Sequence, residues 1–342
     1  MTAASPARPL VSVLESSREL VAPALQDAVR RYLSPRMGQV ASYHHGWSDA
    51  DGRPTGRWGG KLVRPALALL SARAAGHAQE AGVPAAVAVE LVHNFSLLHD
   101  DIMDDDTKRR GRATAWTVFG VPNALLAGDA LLTAATSVLL DSDGADPRSA
   151  TAWLMTATQR MITGQTADIE FERRGDVTLA ECVRMAGDKT GALLSCACSL
   201  GAALVGADTA LVDRLAAFGE HVGLAFQLVD DLLGIWGDPA TTGKAAGADL
   251  VARKKSLPVV AALQAASSTE LWELYSGEEP LTEAEVARAA ALVERDGGRD
   301  WALTEAARQI DAARECLAAA DVPRAVGVDL AQVASFVVGR EF

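Results

Sequence analysis

Two groups of aspartates carry the most legible chemistry in this chain. Asp100, Asp101 and Asp104 lie in the run His99-Asp100-Asp101-Ile102-Met103-Asp104, and Asp230 and Asp231 follow 130 residues later. On a helix, residues four apart share a face one turn apart, so Asp100 and Asp104 point their carboxylates into a common space. Two carboxylates so placed suit a hard divalent cation. Mg²⁺ takes oxygen ligands, keeps several waters and is usually held by one or two carboxylates together with substrate phosphates. The remaining ligands would then come from a phosphorylated substrate. An acidic run is more often a solvated face than a site, but the flanks argue otherwise. Residues 85–98 are nearly all apolar, broken mainly by Glu90, His93, Asn94 and Ser96, and residues 222–229 are apolar apart from Gln227. Carboxylates gathered at the end of a buried helix repel one another and must be paired or metal-bound.

The cations stand where anionic groups could be gripped. Gly59-Gly60-Lys61-Leu62-Val63-Arg64-Pro65 sets two glycines before a helix start, with Lys61 and Arg64 three apart on one face. A helix N-terminus with flexible backbone and two cations is an anion site. Arg109 and Arg110 follow the first acidic cluster within two turns, and the planar guanidinium fork takes phosphate oxygens in pairs. Lys189, Lys244, Lys254 and Lys255 add cations near the second half. His93, seven residues before Asp100, faces roughly the same way as that carboxylate.

The elements that must position these groups read as helices throughout. Apolar residues recur every three or four positions over 10–33, 61–77, 81–103, 121–139, 149–172, 178–205, 208–235, 254–268, 281–296, 298–320 and 323–339, and no segment alternates like a strand. Turn chemistry separates them at 51–56, 141–144 and 237–247, with 43–60 left as a loop. No linker and no repeat divides the chain, which predicts a single all-α domain over 1–342. The net charge of −12 excludes a nucleic-acid partner, and an acidic pocket can hold an anionic substrate only if divalent cations invert its local charge. Cys182, Cys196, Cys198 and Cys316 lack metal-ligand spacing and read as reduced core residues. The first residues have no signal-peptide pattern. The longest uncharged stretch, 190–207, is expected to be a buried core helix rather than a membrane span. A cytoplasmic protein is expected.

The segments Gly59-Gly60-Lys61-x-x-Arg64-Pro65, Leu97-Leu98-His99-Asp100-Asp101-Ile102-Met103-Asp104 through Arg109-Arg110-Gly111, Gly128-Asp129, Gly164-Gln165, Lys189-Thr190, Phe226-Gln227-Leu228-Val229-Asp230-Asp231 and Gly243-Lys244-x-x-x-x-Asp249 with Lys254 resemble the trans-isoprenyl diphosphate synthase (polyprenyl synthetase) family. The resemblance runs from residue 59 to about 340, in the family's order and spacing; the first 55 residues carry no signature. It implies the isoprenoid synthase fold, about a dozen helices around a central cavity, usually in a homodimer. It also implies that Asp100, Asp104 and Asp230 bind three Mg²⁺, supported by Asp101 and Asp231. Those ions would grip the diphosphate of an allylic substrate, with Arg109, Lys189, Lys244 and Lys254 adding charge. The positions matching the isopentenyl diphosphate pocket are Gly60, Lys61, Arg64, His93 and Arg110. Lys189, Thr190 and Gln227 match the groups that stabilise the allylic carbocation.

One position departs from the pattern: the third aspartate of the second motif is Gly234 here. Because the first aspartate, Asp230, is the main ligand in the family, activity is expected to survive. Product length is implied by the residues just before the first motif. Phe95, five before Asp100, is a large aromatic, and Ser96 is not. That pattern resembles geranylgeranyl diphosphate synthases and implies a C20 product, with C15 farnesyl diphosphate as the alternative. A class I terpene cyclase and a non-catalytic partner subunit are the other readings. The intact isopentenyl diphosphate positions weigh against the first, and the complete first motif weighs against the second.

Overall fold

The computed structural model describes residues 9–56, 60–238, 247–265, 269–277 and 279–339, and nearly all of them are helical. The chain divides into two compact units: Met1–Thr156 with Cys196–Ala216 and Ala320–Val333, and Ala157–Ser195 with Ala217–Ala319 and Ala334–Phe342.

The first unit is organised by α1 (Leu10–Tyr32), α2 (Pro35–His44), α3 (Val63–Ala74), α4 (Val83–Met103), α5 (Ala115–Phe119) and α6 (Val121–Leu140). Proline occupies the first turn of α2, α4 and α6, where its missing N–H would have had no helical partner. Helix α4, which ends in the first aspartate cluster, packs on α3 and α6. Its residues from Ala85 to Val92 are all buried, Glu90 included. Two helical segments, Gln79–Met103 and Val121–Leu140, are long and apolar enough to cross a membrane. In the first, 67% of the apolar window is buried inside the protein, as expected of a core helix. Helix α6 instead keeps Val121, Leu125, Leu126 and Leu140 exposed.

The second unit contains the later part of α7 (Pro147–Arg173), α8 (Leu179–Ala186), the start of α9 (Ala192–Leu204), and α10 (Thr209–Trp236) from Ala217 onward. It continues with α11 (Ala248–Val251), α12 (Leu257–Ala265), α13 (Thr269–Ser276), α14 (Glu283–Arg295) and α15 (Gly298–Ala319), and takes in the end of α16 (Arg324–Val338). Leu228 and Leu232 of α10 pack with Cys182 and Met185 of α8 and Leu257 and Val260 of α12 in one core cluster. The free cysteines 182, 196 and 198 are buried.

Several expected elements take a different form. The predicted helix 178–205 is two helices joined by a single π turn at Gly187–Gly191, and periodicity alone cannot register one extra residue per turn. Of the segment expected to be helical over 254–268, Leu257–Ala265 is helical and 266–268 lie outside the described residues; Lys254 and Lys255 precede the helix. Helices α2, α5, α11 and α13 have no counterpart among the expected helices, being short, of 10, 5, 4 and 8 residues. A two-stranded hairpin, Lys108–Arg109 with Arg112–Ala113, stands where no strand was expected. Its loop, Arg110-Gly111, has φ of 52° and 72°, the positive pair a type I′ turn demands and glycine readily supplies. Arg109 and Arg110 are therefore presented by a hairpin, not by an extension of α4.

Candidate active site

In the first unit, the acidic end of α4 sorts its carboxylates. The amide of Asp104 donates to the carbonyl of Asp100 at 2.8 Å, closing the last turn, so the two side chains share a face as the spacing predicts. Asp100 is half-buried and Asp104 exposed. Asp101, only 1% exposed, turns inward, where Arg109 Nε donates to Oδ1 at 2.6 Å. Its Oδ2 is buried with no hydrogen-bond partner among the described residues, and burial raises its pKa against the pull of Arg109. The chain beyond α4 is pinned by Asp106, whose carbonyl accepts from Thr114 Oγ1 and Trp116 Nε1, each at 2.8 Å.

The basic residues form a second cluster in the same unit. Arg64 of α3 lies with Nη1 3.4 Å from His93 Nε2 of α4. A guanidinium only donates, so Nε2 must accept and the imidazole proton sits on Nδ1. Burial, then Arg64 and Arg110, hold the His93 pKa well below the usual value, which keeps the ring neutral and able to accept. Glu90, one turn earlier, is buried and accepts from Asn94 Nδ2 at 2.9 Å; burial raises its pKa, and Arg64 and Arg110 oppose the rise. Gly60 lies against Arg110, since a Cβ on Gly60 would stand 3.3 Å from Arg110 Nη2. Lys61 is exposed beside it. Gly60, Asp101, Arg109, Arg110, His44 and His45 border one cavity of about 170 Å³. Gly59 lies outside the described residues.

In the second unit, Asp230 is exposed near the end of α10 and Asp231 is 3% exposed. Asp231 is held from three sides: Gln227 Nε2 donates to it at 2.8 Å, the amide of Leu257 donates at 2.9 Å, and Lys254 Nζ stands 3.9 Å away. Burial pushes its pKa up to about 6. Lys254 is held firmly protonated, because Asp231, Asp249, Asp168 and Asp230 together outweigh the cost of burying it. Thr190 donates its hydroxyl to Gln227 Oε1 at 2.6 Å, and Lys189 pairs with Asp168. A Cβ on Gly164 would lie 2.2 Å from the Lys189 amide nitrogen, so only glycine leaves room for the π turn that carries Lys189 and Thr190. Lys244 lies outside the described residues.

Gly234 has a tertiary explanation. A Cβ there would lie 2.2 Å from Asp249 Oδ2, so the space beside α10 is filled by a carboxylate from α11. Sequence reasoning left Asp249 without a role, as it did Glu90, Asp168 and Gln165, whose amide is buried with both polar atoms unpartnered among the described residues. Only Gln165 and Asp249 had a signal, their place within quoted motifs. Among the described residues no three His, Cys, Asp or Glu side chains gather closely enough to cage a metal. In each unit the donors nonetheless suit a hard ion, with carboxylates at Asp100 and Asp104 at the end of α4 in the first and at Asp230 near the end of α10 in the second. An ion held at either would draw its other oxygens from water and a bound diphosphate.

The Polyprenyl synthetase family profile matches residues 55–293. The chain is 44% identical over 339 residues to a (2E,6E)-farnesyl diphosphate synthase of Mycobacterium tuberculosis, covering 98% of this chain and 94% of that one. It is also 44% identical over 305 residues to a geranylgeranyl diphosphate synthase of the same organism, covering 88% and 87%. A polyprenyl synthetase crystal structure from Streptomyces coelicolor superposes with a TM-score of 0.91 at 51% identity, over 96% of this chain and all of that one. With the paired aspartates and the arginine cluster in place, these similarities make the chain a member of the polyprenyl synthetase family, a prenyl-transferring enzyme of isoprenoid synthesis.

Proposed function

We propose that the protein is a Mg²⁺-dependent trans-prenyltransferase that joins isopentenyl diphosphate to an allylic diphosphate and stops at geranylgeranyl diphosphate, C20. Asp100, Asp104 and Asp230 would hold three Mg²⁺, whose chemistry when bound is to neutralise the diphosphate that departs. Gly60, Lys61, Arg64, His93 and Arg110 bind isopentenyl diphosphate; neutral His93 orients Arg64 by accepting its hydrogen bond. Arg109, Lys189, Lys244 and Lys254 bind the allylic partner, and Asp101 and Asp231 orient Arg109 and Lys254. The allylic C–O bond breaks, and the carbocation faces the hydroxyl oxygen of Thr190 and the backbone of Lys189, with Gln227 holding that hydroxyl. Fixed dipoles of this kind stabilise developing charge without reorganising. The alkene of isopentenyl diphosphate forms the new C–C bond, and the proton lost from the adduct passes to the released pyrophosphate.

The observation that carries the C20 reading is Phe95. It is buried on α4 five residues before Asp100, edge-on to His99 at 4.9 Å between centroids, while Ser96 beside it is small and donates to its own helix at His93 O. A tail extending from Asp100 and Asp104 toward the start of α4 meets the ring first. The similarity to the farnesyl diphosphate synthase spans more of the chain than that to the geranylgeranyl enzyme, which favours C15 as the second reading. The exposed Leu125 and Leu126 of α6 support a homodimer, here taken to be cytoplasmic. Incubation with Mg²⁺, isopentenyl diphosphate and dimethylallyl, geranyl or farnesyl diphosphate, with products identified by mass, tests the proposal. C20 is expected from every primer; C15 as the end product selects the second reading; no condensation with any primer overturns both. Phe95→Ala should lengthen the product and Ser96→Phe should shorten it.

A further inference from the structure

The second unit contains a cavity of about 200 Å³ that shares no lining residue with the groups assigned to prenyl transfer. Its walls are mostly apolar: Val177 from the turn before α8, Val260 and Leu263 from α12, and the indole of Trp272 from α13. Trp272 can lie there because position 175 is glycine; a Cβ on Gly175 would come within 2.7 Å of the ring. One cation is set into this lining, beside the exposed carboxylate of Asp176. Lys255 is 8% exposed, and among the described residues no carboxylate lies within ion-pairing distance of its ammonium.

The contrast with its neighbours is informative. Lys254 stands 3.9 Å from Asp231, and Lys189 pairs with Asp168, so these two half-buried lysines of the same unit each have an anion. Lys255 Nζ instead stands over the face of Tyr275, 5.2 Å from the ring centroid. Asp176, the carboxylate on the cavity wall, is spent on Arg174, whose Nε donates to it at 2.9 Å. Burial, reinforced by Arg253, lowers the Lys255 pKa. A buried cation lacking a counter-ion is costly, and an anion bound in the cavity would remove that cost.

Size and charge define the ligand. Dry cavities of about 150 Å³ hold a benzene ring, so this one accommodates an aryl ring or short hydrocarbon with a small polar head. One monovalent cation amid apolar walls matches one negative charge; a phosphate dianion would keep a charge unpaired. We propose that this cavity binds a small apolar carboxylate, with its anionic head on Lys255 and its hydrocarbon against Val177, Val260, Leu263 and Trp272. The inference does not depend on the product length or on the metal assignment.

Benzoate is the probe, titrated into the intact protein by calorimetry and by tryptophan fluorescence, with inorganic pyrophosphate present throughout to occupy the diphosphate-binding cations. Benzamide serves as the uncharged isostere. Benzoate should bind at least about tenfold more tightly than benzamide, the ratio that about 1.4 kcal/mol confers. Lys255→Met should abolish that preference, and Lys255→Arg should keep it. Trp272→Phe should erase the fluorescence change while calorimetric binding persists. Equal binding of benzoate and benzamide, unchanged benzoate affinity in a folded Lys255→Met protein, or no binding at the solubility limit would each overturn the proposal. If Lys255→Met fails to fold, the benzoate-to-benzamide ratio of the native protein decides alone.

Discussion

Asp100-Asp101 and Asp230-Asp231 divide their labour in the same way: the first member of each pair is the more open, half-buried at Asp100 and exposed at Asp230, and the second is turned into the core. The supports differ. Among the described residues Asp101 has one donor, Arg109, and a buried oxygen with no partner. Asp231 accepts from Gln227 and from the Leu257 amide, with Lys254 nearby. The open faces differ too. Helix α4 supplies two outward carboxylates one turn apart, whereas α10 supplies Asp230 and then a glycine whose missing side chain makes room for Asp249. An aspartate four residues on is thus required only where nothing else already fills that place.

The largest effect expected from breaking this comparison is chemical. Asp100→Ala and Asp230→Ala should each reduce turnover by about three orders of magnitude, roughly 4 kcal/mol of transition-state stabilisation, with helical circular dichroism retained. Near-normal turnover in either variant would detach that carboxylate from the metal.

Next come the inward aspartates. Asp231→Asn disturbs a buried carboxylate with three supports and should cost about 3–5 kcal/mol of unfolding free energy. Asp101→Asn disturbs one charge-assisted bond and should cost about 1.5–3 kcal/mol. Denaturant unfolding of both variants measures the gap, and equal losses would mean that the number of donors does not matter.

Gly234→Asp is the sharper test, because it restores the family's usual residue and is expected to do harm. The new Cβ would collide with Asp249, and overpacking of this kind costs about 1–3 kcal/mol. Gly234→Asp combined with Asp249→Gly should recover most of that loss. Greater stability in the single variant would refute the steric account.

The buried histidines and Asp231 respond to acidity with opposite signs. Burial holds His44 and His93 well below the usual imidazole pKa and His45 at about 3. Their folded values lie below the unfolded value of about 6.5, so their contribution is whole above that pH and is lost as pH falls toward the folded values. By pH 5, His45 alone should withdraw about 2 kcal/mol. Asp231, raised to about 6, works the other way: its contribution is whole below the unfolded value of about 3.9 and is lost as pH rises through 6. Hydrogen exchange at pH 5 should therefore show loosening first around His44 and His45. A His45→Asn protein whose melting temperature falls as steeply between pH 6.5 and 5 as the parent's would remove that histidine from the account.

Much of the fold was legible because long helices with apolar faces announce themselves by period. Helices α1, α4, α6 and α10 lie within a few residues of their expected bounds. The shorter elements were not legible. The hairpin at 108–113 has only two residues per strand, too few to alternate, and the π turn at 187–191 is a local insertion that leaves the surrounding periodicity intact. Of the candidate site, Asp100, Asp104, Arg64 and His93 were visible through spacing. Glu90, Asp168 and Asp249 were not, because a lone carboxylate in a sequence carries no sign of what it will face.

The sequence by itself determined the helical class, the shared face of Asp100 and Asp104, and the family, since each rests on period or spacing along one chain segment. Only the tertiary structure decided which aspartate of each pair turns inward, why residue 234 must lack a side chain, and that among the described residues Lys254 has an anion while Lys255 does not. The reason is physical: a side chain's burial and partners depend on segments remote in sequence, such as α11 beside α10, and no local pattern records where those segments come to rest.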